Sequence, residues 1–128
     1  FLRVLGQQKK FFAECACYRE GHRTGYADNS IKLGGKWCFV EVKLNVHTEP
    51  HLHEQLKKYC YAEQAKPNND RTLNQEQIWQ RVILVIDTAE LYYYDRIADR
   101  LISIEKLDNV LIKNDIQTLQ KRILSLLN

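Results

Sequence analysis

Apolar and polar residues alternate along three successive segments near the start of the chain, which is the two-residue period of half-buried β-strands. The clearest is "WCFVEVKLNV" (37–46), in which aromatic and β-branched residues dominate. Turn residues separate the segments at 20–25 and at "GGK" (34–36). The pattern therefore predicts an antiparallel β-meander of strands at 9–18, 26–33 and 37–46.

A helical period of apolar residues follows the meander. Pro50 suits a first helical turn, and "HLHEQLKKYCYAEQA" (51–65) carries an apolar stripe formed by Leu52, Leu56, Tyr59 or Cys60, and Ala62. A polar loop is predicted at 66–77, with a short helical turn near 73–79.

The remaining pattern returns to strands and closes on helix. "RVILVID" (81–87) is a continuous apolar run, typical of a strand covered on both faces. Segments 91–95 and 100–107 form a second predicted hairpin, and "NDIQTLQKRILSLL" (114–127) has the period of an amphipathic helix. "FLRVLG" (1–6) is interpreted as the end of a helix that Gly6 closes. We expect one domain over 1–128, an α/β or α+β fold in which helices flank a central sheet.

Composition sets the broad class. With 45% hydrophobic and 27% charged residues, a globular, soluble, cytoplasmic protein is expected. No apolar run approaches the ~18 residues of a membrane span, and no signal peptide is visible. The net charge of +3 permits nucleic-acid binding without requiring it. Because the chain begins at Phe1 and contains no Met, we interpret it as a fragment that lacks native N-terminal residues.

The cysteines raise a separate alternative. None of Cys15, Cys17, Cys38 and Cys60 stands in a Cys-x-x-Cys pair, and disulfides are disfavoured without a secretory context. A metal site built from all four is one hypothesis, and four small buried hydrophobes are the simpler one.

Charges inside the predicted strands are the main functional signal. Glu41 and Lys43 share one face of the third strand with Trp37 and Phe39. Folding the hairpin about residue 35 brings Asp28, on the preceding strand, to the neighbourhood of residue 42. Three ionisable groups are thus predicted to converge.

Such a convergence suits a hard divalent cation. Mg²⁺ takes oxygen ligands and is commonly held by one or two carboxylates, which Asp28 and Glu41 supply. The backbone carbonyl of Val42 is a candidate third ligand, and Lys43 offers positive charge for a reacting phosphate. A half-exposed Glu–Lys surface pair is an equally ordinary explanation of the same residues.

The helix adds two residues to this set. Gln55 and Tyr59 are four positions apart, so they share a helix face. "GYAD" (25–28), "EVK" (41–43) and "QLKKY" (55–59) resemble, in order and spacing, the Gly-x-x-Asp, (Asp/Glu)-x-Lys and Gln-x-x-x-Tyr motifs of the PD-(D/E)XK nuclease superfamily, particularly its RecB-like branch. Residues 81–107 also resemble the strand-rich part of nuclease domains in type I restriction motor subunits.

The resemblance implies a restriction-endonuclease-like fold, a mixed sheet flanked by helices, and Mg²⁺-dependent hydrolysis of DNA, with Mn²⁺ as a substitute. Asp28 and Glu41 would be metal ligands, Lys43 a catalytic base or stabiliser, and Gln55 and Tyr59 supporting residues. Two departures stand out: Ala27 occupies the position of the usual proline, and the acidic residue often supplied by the first helix is missing from 1–8. Glu14 is a candidate replacement or a structural residue.

Three functions thus remain open. The first is a DNA nuclease, the nuclease part of a restriction or DNA-processing system, with a translocase or helicase as a candidate partner. The second is a nucleic-acid-binding or assembly module that has the same fold and no activity. The third is a metal-cluster protein that uses the cysteines.

Overall fold

In a computed structural model, the structure describes residues 12–68 and 70–106, together with Lys121 and Ser125. Eight strands of these residues form one mixed sheet in the order β5-β4-β1-β2-β3-β6-β7-β8. The strands are β1 (Phe12–Arg19), β2 (His22–Leu33), β3 (Lys36–Val42), β4 (Gln64–Pro67), β5 (Leu73–Asn74), β6 (Ile78–Ile86), β7 (Glu90–Asp95) and β8 (Arg100–Lys106). The helix α1 spans Leu52–Cys60.

The predicted meander is confirmed, with corrected turns. β1, β2 and β3 pair antiparallel in sequence order. The first turn is confined to Glu20 and Gly21, with φ angles of 53° and 78°, so the predicted turn at 20–25 was too long and β2 begins at His22. Gly34 and Gly35, with φ of 56° and 84°, make the second turn in a left-handed conformation that glycine adopts without strain.

The third strand and the helix both end before their predicted limits. β3 ends at Val42, not at residue 46, because Asn45 starts a short 3-10 turn over Val46–Thr48. The helix ends at Cys60, not at residue 65, because Gln64–Pro67 pair with β1 as strand β4. Part of the predicted loop at 66–77 is therefore strand, while its predicted helical turn is a 3-10 turn at Gln75–Gln77.

β6 forms the only parallel pairing among the described strands. It lies parallel to β3, and the chain reaches it through α1, β4 and β5, since a parallel pair needs a long crossover. Ile83, Leu84, Val85 and Ile86 are all buried, which confirms the prediction of a strand covered on both faces. The hairpin of β7 and β8 continues the sheet as predicted.

The apolar stripe of α1 packs on the sheet and forms the main core. Leu52, Leu56, Tyr59 and Cys60 are buried, as is Ala62 beyond the helix end. They join a cluster that includes Trp37 and Phe39 of β3 and Ala27 of β2. This packing makes the face of β3 that carries Glu41 the face covered by the helix.

The two terminal helix predictions, at 1–6 and 114–127, lie outside the described residues except for Lys121 and Ser125, which are helical. Among the residues that the structure describes, no helix is both long and apolar enough to cross a membrane.

Candidate active site

Glu41 is a buried carboxylate next to the end of β3. The buried polar side chains among the described residues are those of Ser30, Glu41 and Asp87. Asp87 accepts the backbone N–H groups of Ala89 and Glu90, each at 2.8 Å, and thereby holds the turn that follows β6. Glu41 has a different role in the fold, because its partners are side chains of another element and of the loop after β3.

Three side chains meet at the Glu41 carboxylate. The Tyr59 hydroxyl donates to Oε2 at 2.8 Å, and Gln55 Nε2 donates to Oε1 at 3.3 Å. Lys43 Nζ lies 3.6 Å from Oε1. We call Glu41, Lys43, Gln55 and Tyr59 the Glu41 cluster. Glu41 and Lys43, two of the three groups predicted to converge, are therefore in contact, and the helix adds Gln55 and Tyr59 at the same carboxylate.

The helix holds its two members in place through their four-residue spacing. Gln55 Nε2 also donates to the Tyr59 hydroxyl at 3.2 Å, and the Tyr26 carbonyl lies 3.2 Å from that hydroxyl as a second acceptor. The Tyr59 ring stacks on Phe39 with centroids 5.4 Å apart. Both rings are buried, so Tyr59 has little freedom to leave Glu41.

Gly25 permits this close packing of helix on strand. A Cβ at position 25 would lie 3.3 Å from Cε1 of Tyr59, tighter than ordinary carbon contacts. The glycine of the "GYAD" segment thus has a steric role that the sequence did not reveal by itself. The contact between the Tyr59 hydroxyl and the Tyr26 carbonyl was not predictable from the sequence either, since side-chain identity gives no signal for a backbone acceptor.

Asp28 lies beside the cluster. The β2–β3 register pairs Asn29 with Val40, so the next position, Asp28, lies opposite Glu41. The sequence predicted that Asp28 would lie near residue 42, one position further along β3. The β1–β2 register shifts opposite residues 27–30, and such an irregularity re-aims strand side chains. Asp28 is exposed, and its negative charge contributes to raising the pKa of Glu41.

Burial dominates the electrostatics of the cluster. Desolvation is the largest cause that raises the pKa of Glu41, while the Tyr59 hydrogen bond and the Lys43 charge act in the opposite direction. Burial and the adjacent Glu41 carboxylate raise the pKa of Tyr59, which keeps the phenol protonated as a donor. Burial thus favours the protonated form of Glu41 even with Lys43 alongside, and a bound cation would favour the charged form.

Two further candidate ligands stand apart from these contacts. Glu14 is exposed, accepts a hydrogen bond from Asn68 Nδ2 at 3.0 Å and is bonded to the Tyr26 hydroxyl, so its described partners are not members of the Glu41 cluster. Val42 pairs with Ile86, and the next N–H, that of Lys43, donates to Ile86 O at 2.8 Å.

The oxygen donors suit Mg²⁺ by their chemistry. Glu41 and Asp28 are hard carboxylates, and Mg²⁺ commonly keeps several waters while one or two carboxylates hold it. Within the described ranges, no group of three or more His, Cys, Asp or Glu residues is arranged to hold a metal ion, which also leaves the four-cysteine hypothesis without support. All four cysteines are buried, and none of them forms a disulfide with another described residue.

An open cleft of about 300 Å³ borders the cluster. Gln55 and Tyr59 form part of its wall, together with Thr24 and Gly25 of β2 and with Lys58 of α1. The cleft gives a molecule outside the protein access to the side of the helix that contacts Glu41. No protein-family model, curated protein or solved structure matches this chain.

Proposed function

We propose that this chain is a metal-dependent nuclease domain with a restriction-endonuclease-like fold that hydrolyses DNA phosphodiester bonds. The mixed sheet, the meander and the helix packed over β3 are compatible with that fold. The proposal rests on one observation above all: two of the three short motifs, "EVK" and "QLKKY", bring their polar residues to a single buried carboxylate, that of Glu41.

The location of Glu41 supports a functional role over a structural one. Burying a carboxylate costs free energy, and replacing a buried ion pair by apolar residues is often neutral or stabilising. Here the fold surrounds Glu41 with donors and still leaves its pKa raised. A carboxylate that the fold buries despite this cost in free energy is expected where it binds a cation or takes part in catalysis.

Each residue of the cluster has a definite part in the proposed hydrolysis. Glu41 and Asp28 would hold the cation, which would supply Lewis-acid polarisation of the scissile phosphate when bound. Lys43 places its ammonium group beside the phosphate, where it offsets the negative charge that develops as the water oxygen bonds to phosphorus and the sugar–oxygen bond to phosphorus breaks. The attacking water gives up its proton to solvent, and the leaving sugar oxygen takes a proton from solvent. Tyr59 and Gln55 orient Glu41 from the helix side.

An inactive binding module with the same fold is the second candidate. The observation that favours it is the absence, among the described residues, of any group of three or more candidate metal ligands. The Lys43–Glu41 contact at 3.6 Å also lets lysine substitute for a cation in balancing the carboxylate.

A cleavage assay with matched variants separates the two candidates. Linear and circular DNA, single- and double-stranded, is incubated with the protein in Mg²⁺, Mn²⁺ or EDTA. We expect cleavage that depends on the metal and is lost in Glu41→Gln and Lys43→Ala. Glu76→Gln and Lys66→Ala remove the same charges at exposed positions outside the cluster and should cleave like the parent.

Circular dichroism checks that each variant is folded. If Glu41→Gln and Lys43→Ala cleave as fast as their controls, the site assignment is wrong. If the parent binds DNA but cuts no substrate with either metal, the inactive module is the correct function.

A further inference from the structure

A second surface lies next to the cleft at the Glu41 cluster. Its cavity of about 390 Å³ is lined by Arg19, Thr24, Lys57, Lys58 and Tyr61. Three of these five residues are cationic and none is acidic. Tyr61 is 48% exposed, which is high for so large a ring, and it follows the last residue of α1. We call this surface the Tyr61 groove.

The Tyr61 groove is continuous with the candidate active site. Thr24 and Lys58 line both the cleft beside Gln55 and Tyr59 and the Tyr61 groove. Arg19 and Tyr61 also line the next depression along the surface, which contains Arg96. From Gln55 to Tyr61 the helix rises about 9 Å, a distance that a few phosphates of an extended strand cover.

Two arginines frame the tyrosine ring. The guanidinium carbons of Arg19 and Arg96 lie 5.7 Å and 5.6 Å from the Tyr61 ring centroid. Arg96 also donates to the Cys60 carbonyl at 3.4 Å, which fixes it against the end of the helix. Cationic groups around an exposed aromatic ring are the combination that binds unpaired nucleic acid, because phosphates pair with the cations and bases stack on the ring.

The Thr24 hydroxyl gives independent support at the junction of the two clefts. Its Oγ1 is buried and has no hydrogen-bond partner in the part of the chain that the structure describes. An orphaned buried hydroxyl in a native fold requires an explanation, and a turn of the Thr24 side chain toward a ligand in the groove would supply the missing partner.

The charged residues around the Tyr61 groove indicate where the surface favours a negatively charged ligand. Lys57 is within 3.8 Å of Asp99, so part of its charge is already balanced. Glu20 and Glu63 line the depression beyond Tyr61 and would repel a phosphate there. Glu54 lines the cleft beside Gln55 and Tyr59, so the uncompensated positive charge is concentrated between Lys58 and Arg19, within the Tyr61 groove itself.

We propose that the Tyr61 groove binds an unpaired DNA strand and leads it to the Glu41 cluster, with Arg19 turned from the Tyr61 ring to a phosphate, Lys58 on another phosphate, and a base stacked on the ring in place of the Arg19 guanidinium. The inference rests on the proposed nuclease function and specifies its substrate as DNA with a single-stranded segment. A flat lipid surface fits less well, because the surface is concave and its apolar part is a single ring.

Binding measured without cleavage tests the proposal. Fluorescence anisotropy of a labelled 12-nucleotide single strand, and of the same sequence as a duplex, is recorded in EDTA at several salt concentrations. We expect the parent to prefer the single strand. The Arg19→Ala/Lys58→Ala variant should bind about tenfold more weakly at low salt, and the slope of log affinity against log salt should fall by about 1.4, the value for two lost phosphate contacts.

Matched variants distinguish the groove from general charge. Lys66→Ala/Arg100→Ala removes the same charge from exposed residues that line none of these cavities and should keep the parent's slope. Tyr61→Ala should weaken single-strand binding about tenfold, while Tyr61→Phe, which retains the stacking ring, should not.

The proposal is overturned if the two double variants lose affinity equally, or if the duplex binds as tightly as the single strand. It is also overturned if Arg19→Ala/Lys58→Ala loses binding to phosphatidylserine vesicles but keeps its binding to DNA. Because EDTA prevents metal-dependent hydrolysis, these results do not depend on cleavage. A parent that binds the single strand through the groove but cuts nothing in Mg²⁺ or Mn²⁺ contradicts the nuclease function and not the groove.

Discussion

Removing the Tyr59 hydroxyl is the most informative single perturbation of the Glu41 cluster. Tyr59→Phe keeps the buried ring and its stacking on Phe39, so no cavity forms. It deletes the 2.8 Å donor to Glu41 Oε2 and the acceptor for Gln55 Nε2. The change therefore isolates the hydrogen bonds from the packing.

The expected loss of stability is about 2 kcal/mol near pH 7, because a hydrogen bond to a charged group contributes about 1.5–3 kcal/mol. For a domain of this size the melting temperature should fall by about 8 °C. Tyr92→Phe is the matched control: Tyr92 is also buried, at 8% exposure, and its hydroxyl bonds to no described residue. Its loss should stay below about 0.5 kcal/mol.

The pH dependence of this loss identifies its source. The Tyr59 hydrogen bond lowers the pKa of Glu41, so the variant should have a still higher Glu41 pKa than the parent. The difference in unfolding free energy should therefore grow as pH rises through the Glu41 titration and shrink when the carboxyl is protonated. Urea unfolding from pH 5 to pH 8 measures it. A loss no greater than that of Tyr92→Phe, or one independent of pH, refutes the reasoning.

Three further predictions concern the cluster and its surroundings. Glu41→Gln should abolish cleavage yet raise the melting temperature at pH 8. The pKa of Glu41 is raised in the folded state, so the protein loses stability as pH rises from the ordinary value of 4.5 through that pKa, and glutamine removes this loss. A lower melting temperature of the variant at pH 8 would contradict the prediction. Burial raises the pKa of Cys15, Cys38 and Cys60 to about 12. A thiol reagent at pH 8 should therefore label them in denaturant and not in the native protein. Rapid labelling of the native protein would show that the core is open. Asp99→Asn, at a φ of 56° that asparagine tolerates, should speed amide exchange at the tip of the β7–β8 hairpin, because it removes the negative charge that strengthens the contacts of Asp99 to His53 Nε2 at 2.9 Å and Lys57 Nζ at 3.8 Å. Unchanged exchange would mean that this charge does not hold the tip.

The sequence predicted the elements that have a strong hydrophobic period. The meander, the parallel central strand and the helix over the sheet all follow from alternation, a continuous apolar run and a helical stripe. Strands β4 and β5 were missed because they are short and polar, and only their backbone pairing with β1 and with each other makes them strands. The helix end was overestimated because Ala62 and Ala65 are buried by packing outside the helix.

The same division applies to the site. The two-residue strand period and the four-residue helix spacing were enough to bring Glu41, Gln55 and Tyr59 together. The exact register of Asp28 depends on a β-irregularity that no local pattern encodes. Tyr61 and Arg96 were missed because they are far apart in sequence and meet only when the β7–β8 hairpin reaches the helix end.

The position of a bound Mn²⁺ ion tests the central claim most directly. Crystals soaked in Mn²⁺ and measured at an anomalous wavelength locate the ion without reference to activity. We expect an anomalous peak within coordination distance of carboxylate oxygens of both Glu41 and Asp28, with Lys43 displaced from its contact with Glu41. A peak elsewhere, or none, with Glu41 still paired to Lys43, would contradict the account.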